Sequence, residues 1–273
     1  MIEVEMQELK KITSLQNPQI KKLVNLREAK TRRQLQQFII EGVREQERAI
    51  KNGFEISEVY LCPELLNDSG QRLLDDLLKT PAIFYELSLP CFEKVAVRKG
   101  SDGLILIAKY KERSLLDFEV EKQPFVLVIE GVEKPGNIGA LLRTADAAGI
   151  QSVLVIGSHK IDLFNPNLIR SSLGTCFSLP VFQCSREQVY ETCKRNKIAI
   201  FAAVLSNSSV FYDKVDYSKG CALLLGSEDK GLDDYWVSHA DQLISIPMLG
   251  QVDSLNVSAA GAVLMYEVVK QRI

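Results

Sequence analysis

The stretch 125-FVLVIEGVEKPGNIGALLRTADAAGIQSVLVIG-157 sets the fold class. Its two ends, FVLVIE (125–130) and SVLVIG (152–157), are apolar throughout, without polar alternation. Strands of that kind are buried on both faces, as in parallel sheets covered by helices on either side. Between them, Pro135-Gly136 reads as a turn, Asn137 as a helix N-cap and Gly149 as the C′ stop. Working outward, IAIFAAV (198–204) and ALLLG (222–226) have the same character, and helical segments separate them. Residues 125–273 are therefore expected to form an open parallel α/β domain.

Such sheets bind ligands beyond the carboxyl ends of their strands. Three conspicuous loops, Gly131–Asn137, Gly226–Gly231 and Pro247–Asp253, all follow strands and should converge at one edge. In ISIPMLGQVDSLNVSAAGAVLMYEVVKQR (244–272), an irregular loop feeds a helix whose first turn is expected to carry Ser254 and Asn256. Free backbone N–H donors at a helix start favour ligand binding there. Arg143 shares a face with Gly139 in a helix otherwise dominated by Leu141, Leu142, Ala145 and Ala148. An arginine in such a helix requires an anionic partner or an open cleft, unless it merely faces solvent. The loop GSEDKGL (226–232) sets Glu228 between two glycines, where a carboxylate can hold a ribose or an arginine; by itself it reads more readily as an exposed turn. Neither the G-x-G-x-x-G fingerprint nor a Walker loop is present.

Upstream, residues 14–36 read as one or two helices, with Leu15, Ile20, Leu23, Val24 and Leu26 on one side. Strands are expected at 38–40, 56–61, 83–87 and 103–109, with helices through Ile50 and over 71–78, giving a small α/β unit. The charged stretch 111–124, ending in proline, breaks the pattern. The expected division is a domain at 1–113, a linker at 114–124 and a second domain at 125–273.

Formal net charge is -2, but between Lys10 and Arg33 eight basic residues face a single acid, Glu28. Such a cluster either neutralises phosphates or is a solvated helix face. The six cysteines form no C-x-x-C pair and only two histidines are available, so no metal site is expected. Free thiols point to a reducing compartment. With no signal peptide and no apolar run approaching the ~20 residues of a membrane span, a soluble cytoplasmic protein is expected.

NIGALLRTA (137–145), LLLGSEDKGL (223–232) and IPMLGQVDSLNVSAA (246–260) together resemble the three motifs of the SpoU/TrmH family of RNA 2′-O-ribose methyltransferases, in order and spacing. ITSLQNPQIKKL with FIIEGVR (38–44) resembles the family's N-terminal substrate-binding domain, which is similar to ribosomal protein L30e. The resemblance implies a C-terminal parallel-sheet α/β domain tied in a deep trefoil knot, preceded by a smaller L30e-like α/β domain. It implies S-adenosylmethionine held near Ala203, Gly226, Ile246 and Leu255. Asn137, Arg143, Glu228, Ser254 and Asn256 match the family's polar active-site positions. In the family the arginine is held to take the proton from the ribose hydroxyl; a guanidinium with a pKa above 12 suits a phosphate clamp or oxyanion stabiliser at least as well. The basic cluster becomes an RNA surface, with Lys21, Lys22, Arg32 and Arg33 as its contacts. Ribosomal RNA is the expected partner, with transfer RNA and a non-catalytic ribosome-assembly role as alternatives, and a resistance methylase as a further possibility. A homodimer through the knotted domain is also implied.

Overall fold

The computed structural model describes residues 9–97, 102–111, 113–119, 121–157, 161–227, 229 and 231–273. The chain divides into two units, one drawing on Met1–Glu112 and Asp162–Ser178, the other on Arg113–Ile161 and Leu179–Ile273.

The first unit begins with β1 (Lys10–Ile12) and α1 (Pro18–Asn25). Asn17 starts α1 by accepting from the Gln19 amide at 2.8 Å, with proline at the first helical position. Then come α2 (Ala29–Leu35), β2 (Gln37–Glu41), α3 (Val43–Lys51), β3 (Ile56–Leu61), α4 (Asp68–Leu77), β4 (Ile83–Leu87), α5 (Leu89–Val95) and β5 (Leu104–Lys109). The strands form a mixed sheet in the order β1-β4-β3-β5-β2, with β5 antiparallel to both neighbours. Ile20, Leu23 and Leu26 bury the apolar side of α1 against Tyr60, Leu87 and Phe92, as the helical period of the sequence requires.

The second unit contains the apolar strands. After β6 (Phe125–Glu130), α6 (Pro135–Ala147) and β7 (Ser152–Ile156), the chain passes through α7 (Pro166–Ser171) and α8 (Thr175–Ser178), which belong to the first unit. It then continues with β8 (Val181–Cys184), α9 (Arg186–Arg195), β9 (Ala199–Ala203), β10 (Val210–Phe211), β11 (Cys221–Leu225), α10 (Asp234–His239), β12 (Gln242–Ser245) and α11 (Val257–Arg272). All seven strands run parallel, in the order β10-β12-β9-β11-β6-β7-β8. The central strands β6, β7 and β11 are buried along their whole length, the physical reason for their unbroken apolar runs.

Two boundaries differ from the sequence expectation. Residues 162–178 leave the 125–273 domain because their aromatic side chains complete the first unit's core. The Phe164 ring stacks on Phe38 with centroids 4.2 Å apart, and Phe177 lies 5.9 Å from the same ring. Gly174, at φ +78°, lets this segment approach α3 so closely that a Cβ there would lie 3.0 Å from Glu45 Cα. The expected linker is also partly ordered into the second unit. Ser114 caps a 3-10 turn at Leu115–Asp117, and Phe118 meets the Phe182 ring edge-on at 5.9 Å.

Candidate active site

At the carboxyl ends of β9, β11 and β12 the second unit opens a cleft of about 390 Å³. Its walls are mainly aliphatic, from Leu225, Leu232, Ile244, Val257 and Leu264. Ala203, Gly226, Ile246 and Leu255 all line it, from three separate segments of chain. The charged groups of its described lining are two carboxylates, Asp229 and Asp253, both exposed.

Gly226 is dictated by the way its loop returns on itself. Ser227 and Gly231 bridge as an antiparallel pair, with the Gly231 amide donating to Ser227 O at 3.0 Å. A Cβ on Gly226 would lie 2.4 Å from the Gly231 carbonyl carbon, an approach no side chain tolerates.

The polar edge is built by two helix starts. α6 begins at Pro135 with Lys134 as its cap, so the expected Asn137 cap is corrected: proline is favoured in the first helical turn, and Asn137 lies within that turn. α11 begins at Val257, so Ser254 and Asn256 precede it rather than occupy its first turn. Asn256 is the cap, accepting from the Ser258 amide at 3.0 Å and the Ser258 hydroxyl at 2.6 Å. Its amide nitrogen faces Asn137 Oδ1 at 3.4 Å, bringing together two residues 119 positions apart. Ser254 lines the cleft. Arg143 is exposed on α6, and no hydrogen bond or ion pair of its side chain is seen among the described residues. It lies six residues beyond Asn137, roughly 9 Å along the helix axis. Glu228 lies outside the described residues. The two helices pack where α11 has a glycine: a Cβ on Gly261 would lie 2.5 Å from Leu141 Cδ2 and 3.0 Å from Leu225 Cδ1.

A third polar group was not anticipated. Glu130, the last residue of β6, is 8% exposed. Its carboxylate accepts from the indole N–H of Trp236 and from Nε of Arg186. Arg186 also pairs with Asp233 at 2.6 Å, and its guanidinium lies over the Tyr235 ring. The available signal was an acid closing an otherwise apolar strand at the ligand-binding edge.

The four expected RNA contacts separate into two kinds. Lys21 and Arg33 are exposed. Lys22 is held by Glu58 at 2.6 Å, and Glu58 also accepts from the Tyr60 hydroxyl. Arg32 requires correction: it is 1% exposed and faces inward. Its Nε reaches Asp162 Oδ2 at 3.1 Å, and another guanidinium nitrogen donates to Leu26 O at 2.7 Å and Arg27 O at 2.6 Å. A buried guanidinium so satisfied braces the fold and does not meet phosphate. No described helix is long and apolar enough to cross a membrane.

Comparison with known proteins matches residues 124–266 to the SpoU rRNA Methylase family and residues 17–106 to the MRM3-like substrate binding domain. The 23S rRNA (guanosine(2553)-2′-O)-methyltransferase of Bacillus subtilis (strain 168) is 30% identical, over 94% of this chain and 98% of the relative. A 23S rRNA (uridine(2479)-2′-O)-methyltransferase of Streptomyces viridochromogenes is 30% identical over 87% and 84%. Among solved structures, an RNA 2′-O ribose methyltransferase aligns with a TM-score of 0.85 at 37% identity, covering 96% of this chain and 98% of that one. An AdoMet-bound rRNA methyltransferase from Sinorhizobium meliloti aligns with a TM-score of 0.87 at 26% identity, covering 97% and 99%.

Proposed function

The chain belongs to the SpoU rRNA methylase family, and from that premise we propose that it methylates a ribose 2′-oxygen of ribosomal RNA, with S-adenosylmethionine as the methyl donor. The observation that carries this reading is the meeting of an aliphatic cleft with a polar edge: Leu255 lines the cleft, and the next residue, Asn256, reaches Asn137 on the helix that bears Arg143.

The cleft fits the donor. Its volume lies within the usual range for small-molecule sites, ~300–1,000 Å³. Aliphatic walls suit the faces of a purine, backbone groups at the strand ends suit its edges, and Asp229 and Asp253 suit a cation. When bound, S-adenosylmethionine supplies a methyl group on a positively charged sulfonium. The ribose oxygen must lie in line with that methyl, so positioning is the main task of the protein. Asn137 and Asn256 offer amide donors and acceptors to the sugar, and Ser254, which lines the cleft, offers a hydroxyl beside them. Arg143 serves as a phosphate clamp and stabiliser of the developing oxyanion, since a guanidinium gives up its proton too reluctantly to act as a base. Glu228 is assigned to orienting Arg143 or the ribose, on the family motif alone.

The first unit, with its substrate-binding match, is assigned to structured RNA, with Lys21 and Arg33 as exposed contacts. Exposed Val263 and Tyr266 on α11 support a homodimer through the second unit, and the match of residues 124–266 to the SpoU rRNA Methylase family supports a knotted threading of the tail. Free cysteines support a cytoplasmic location.

The direct test is to map 2′-O-methyl sites in ribosomal RNA from cells with and without the chain. One or more sites should depend on it; a map that does not change refutes the reading. Arg143→Ala should lower methyl transfer by about 100-fold or more while leaving cofactor affinity intact. Loss of cofactor binding in a folded Arg143→Ala protein would overturn the role given to Arg143.

A further inference from the structure

We infer that Glu130 is a positioning residue for the cofactor cleft, setting the loop 226–232 by gripping the helix that follows it; this rests on the assignment of the cleft to S-adenosylmethionine. The loop leaves β11 at Leu225, beside the end of β6, where Ile129 pairs with Leu225. One end of the loop is therefore fixed by the sheet. The other end runs into α10, where Asp233 caps the helix by accepting from the Tyr235 amide at 3.2 Å. Trp236 lies in the first turn of that helix, is fully buried, and donates its indole N–H to Glu130.

Glu130 thus ties the far end of the loop back to the strand that leads into the Asn137–Arg143 helix. The next residue, Gly131, adjoins Ser227 of the loop: a Cβ there would be in van der Waals contact with Ser227 Cβ, at 3.4 Å. Arg186 closes the arrangement by bridging Glu130 to Asp233. A buried carboxylate at the ligand-binding end of a central strand is costly unless it is paired. Here its two oxygens are taken up by donors from two other helices, α9 and α10, a device for fixing their places. Gly226, Ser227, Asp229, Gly231 and Leu232 of the loop line the cleft, so its shape depends on this grip.

The test uses the full chain and S-adenosylhomocysteine as the probe. Trp236 is the one tryptophan in the sequence, so intrinsic emission reports on the grip directly. Glu130→Gln is expected to raise the dissociation constant of S-adenosylhomocysteine about ten-fold, the scale of one hydrogen bond to a charged group. Trp236 emission should shift at the same time. Turnover on ribosomal RNA from cells lacking the chain should be largely kept at saturating donor, giving a change in KM rather than kcat. Arg186→Lys, at a partly exposed position, should move both readouts in the same direction, and more weakly, even if Glu130→Gln fails to fold. Adding Arg186→Lys to Glu130→Gln should cost less than the sum of the two, as expected for residues in one network. Unchanged affinity and emission in a folded Glu130→Gln protein, or unchanged values in Arg186→Lys should the first not fold, overturn the inference. If the unaltered chain does not bind S-adenosylhomocysteine, the assignment of the cleft fails instead, and unchanged emission still refutes the grip independently.

Discussion

Asp162→Asn replaces a carboxylate by an isosteric amide and leaves the Arg32 guanidinium inside the first unit without a counter-charge. Arg32 is 1% exposed, whereas the Asp162 side chain is 14% exposed, so the cation has less access to water. Removing one partner of a buried ion pair costs about 3–5 kcal/mol. The carbonyls of Leu26 and Arg27 still accept from Arg32, which places the expected loss near the low end, about 3 kcal/mol. At roughly 2–4 °C per kcal/mol, the first unit should melt about 6–12 °C lower. Urea and thermal unfolding followed by far-ultraviolet circular dichroism measure this. Trp236 fluorescence, which belongs to the second unit, supplies a separate transition for comparison. A double change, Arg32→Met with Asp162→Leu, should recover part of the loss, because removing both charges also removes the need to pair them. A loss under about 1 kcal/mol for Asp162→Asn, the size of an exposed pair, would refute the reasoning.

Three further outcomes are expected. Gly261→Val should destabilise the second unit by about 1–3 kcal/mol, because Leu141 and Leu225 already occupy the space of the added atoms; Leu141→Ala in the same chain should restore part of it, measured by urea titration of Trp236 fluorescence. Burial pushes the thiols of Cys176, Cys193 and Cys221 up to about 12, so at pH 8 iodoacetamide should label none of them in the folded chain and all of them in urea. Their contribution to stability is full below the ordinary thiol value of 9.0 and is lost as pH rises from there towards 12, so stability should fall along that interval. Finally, residues 1–113 expressed alone should show no cooperative unfolding, since Phe38 loses Phe164 and Phe177, whereas attaching residues 162–178 through a flexible linker should restore it.

The parallel sheet and the three convergent loops were legible because strands buried on both faces carry their environment in their composition. FVLVIE, SVLVIG and ALLLG could hardly be read otherwise. The cleft residues followed from the family resemblance, and Ala203, Gly226, Ile246 and Leu255 line one cavity although no local pattern joins them. Strands as short as β1 and β10, with three and two residues, carry too few positions for a period. Arg32 reads as surface in the sequence because Lys30 and Arg33 lie beside it; the partner that turns it inward, Asp162, lies 130 residues away. The same distance hid the attachment of Phe164 and Phe177 to the first unit. Pro135-Gly136 illustrates a third failure: the pair signals both a turn and a helix start, and the helix won.

The discontinuity of the first unit has a consequence for the order of events during synthesis. An N-terminal domain built from contiguous residues can fold while the ribosome is still translating the next. Here the strands β1 to β5 are complete well before Phe164, Gly174 and Phe177 exist to cover them. About 66 residues separate the end of the first segment from the end of the second, roughly 3–13 s of elongation at ~5–20 residues per second. Through that interval Phe38 and Arg32 lack their final partners, and β6 and β7 of the second unit emerge before the first unit can close. The first unit can therefore close only after the second has begun to emerge, yet before β8 to β12 and α11 of the second have been made.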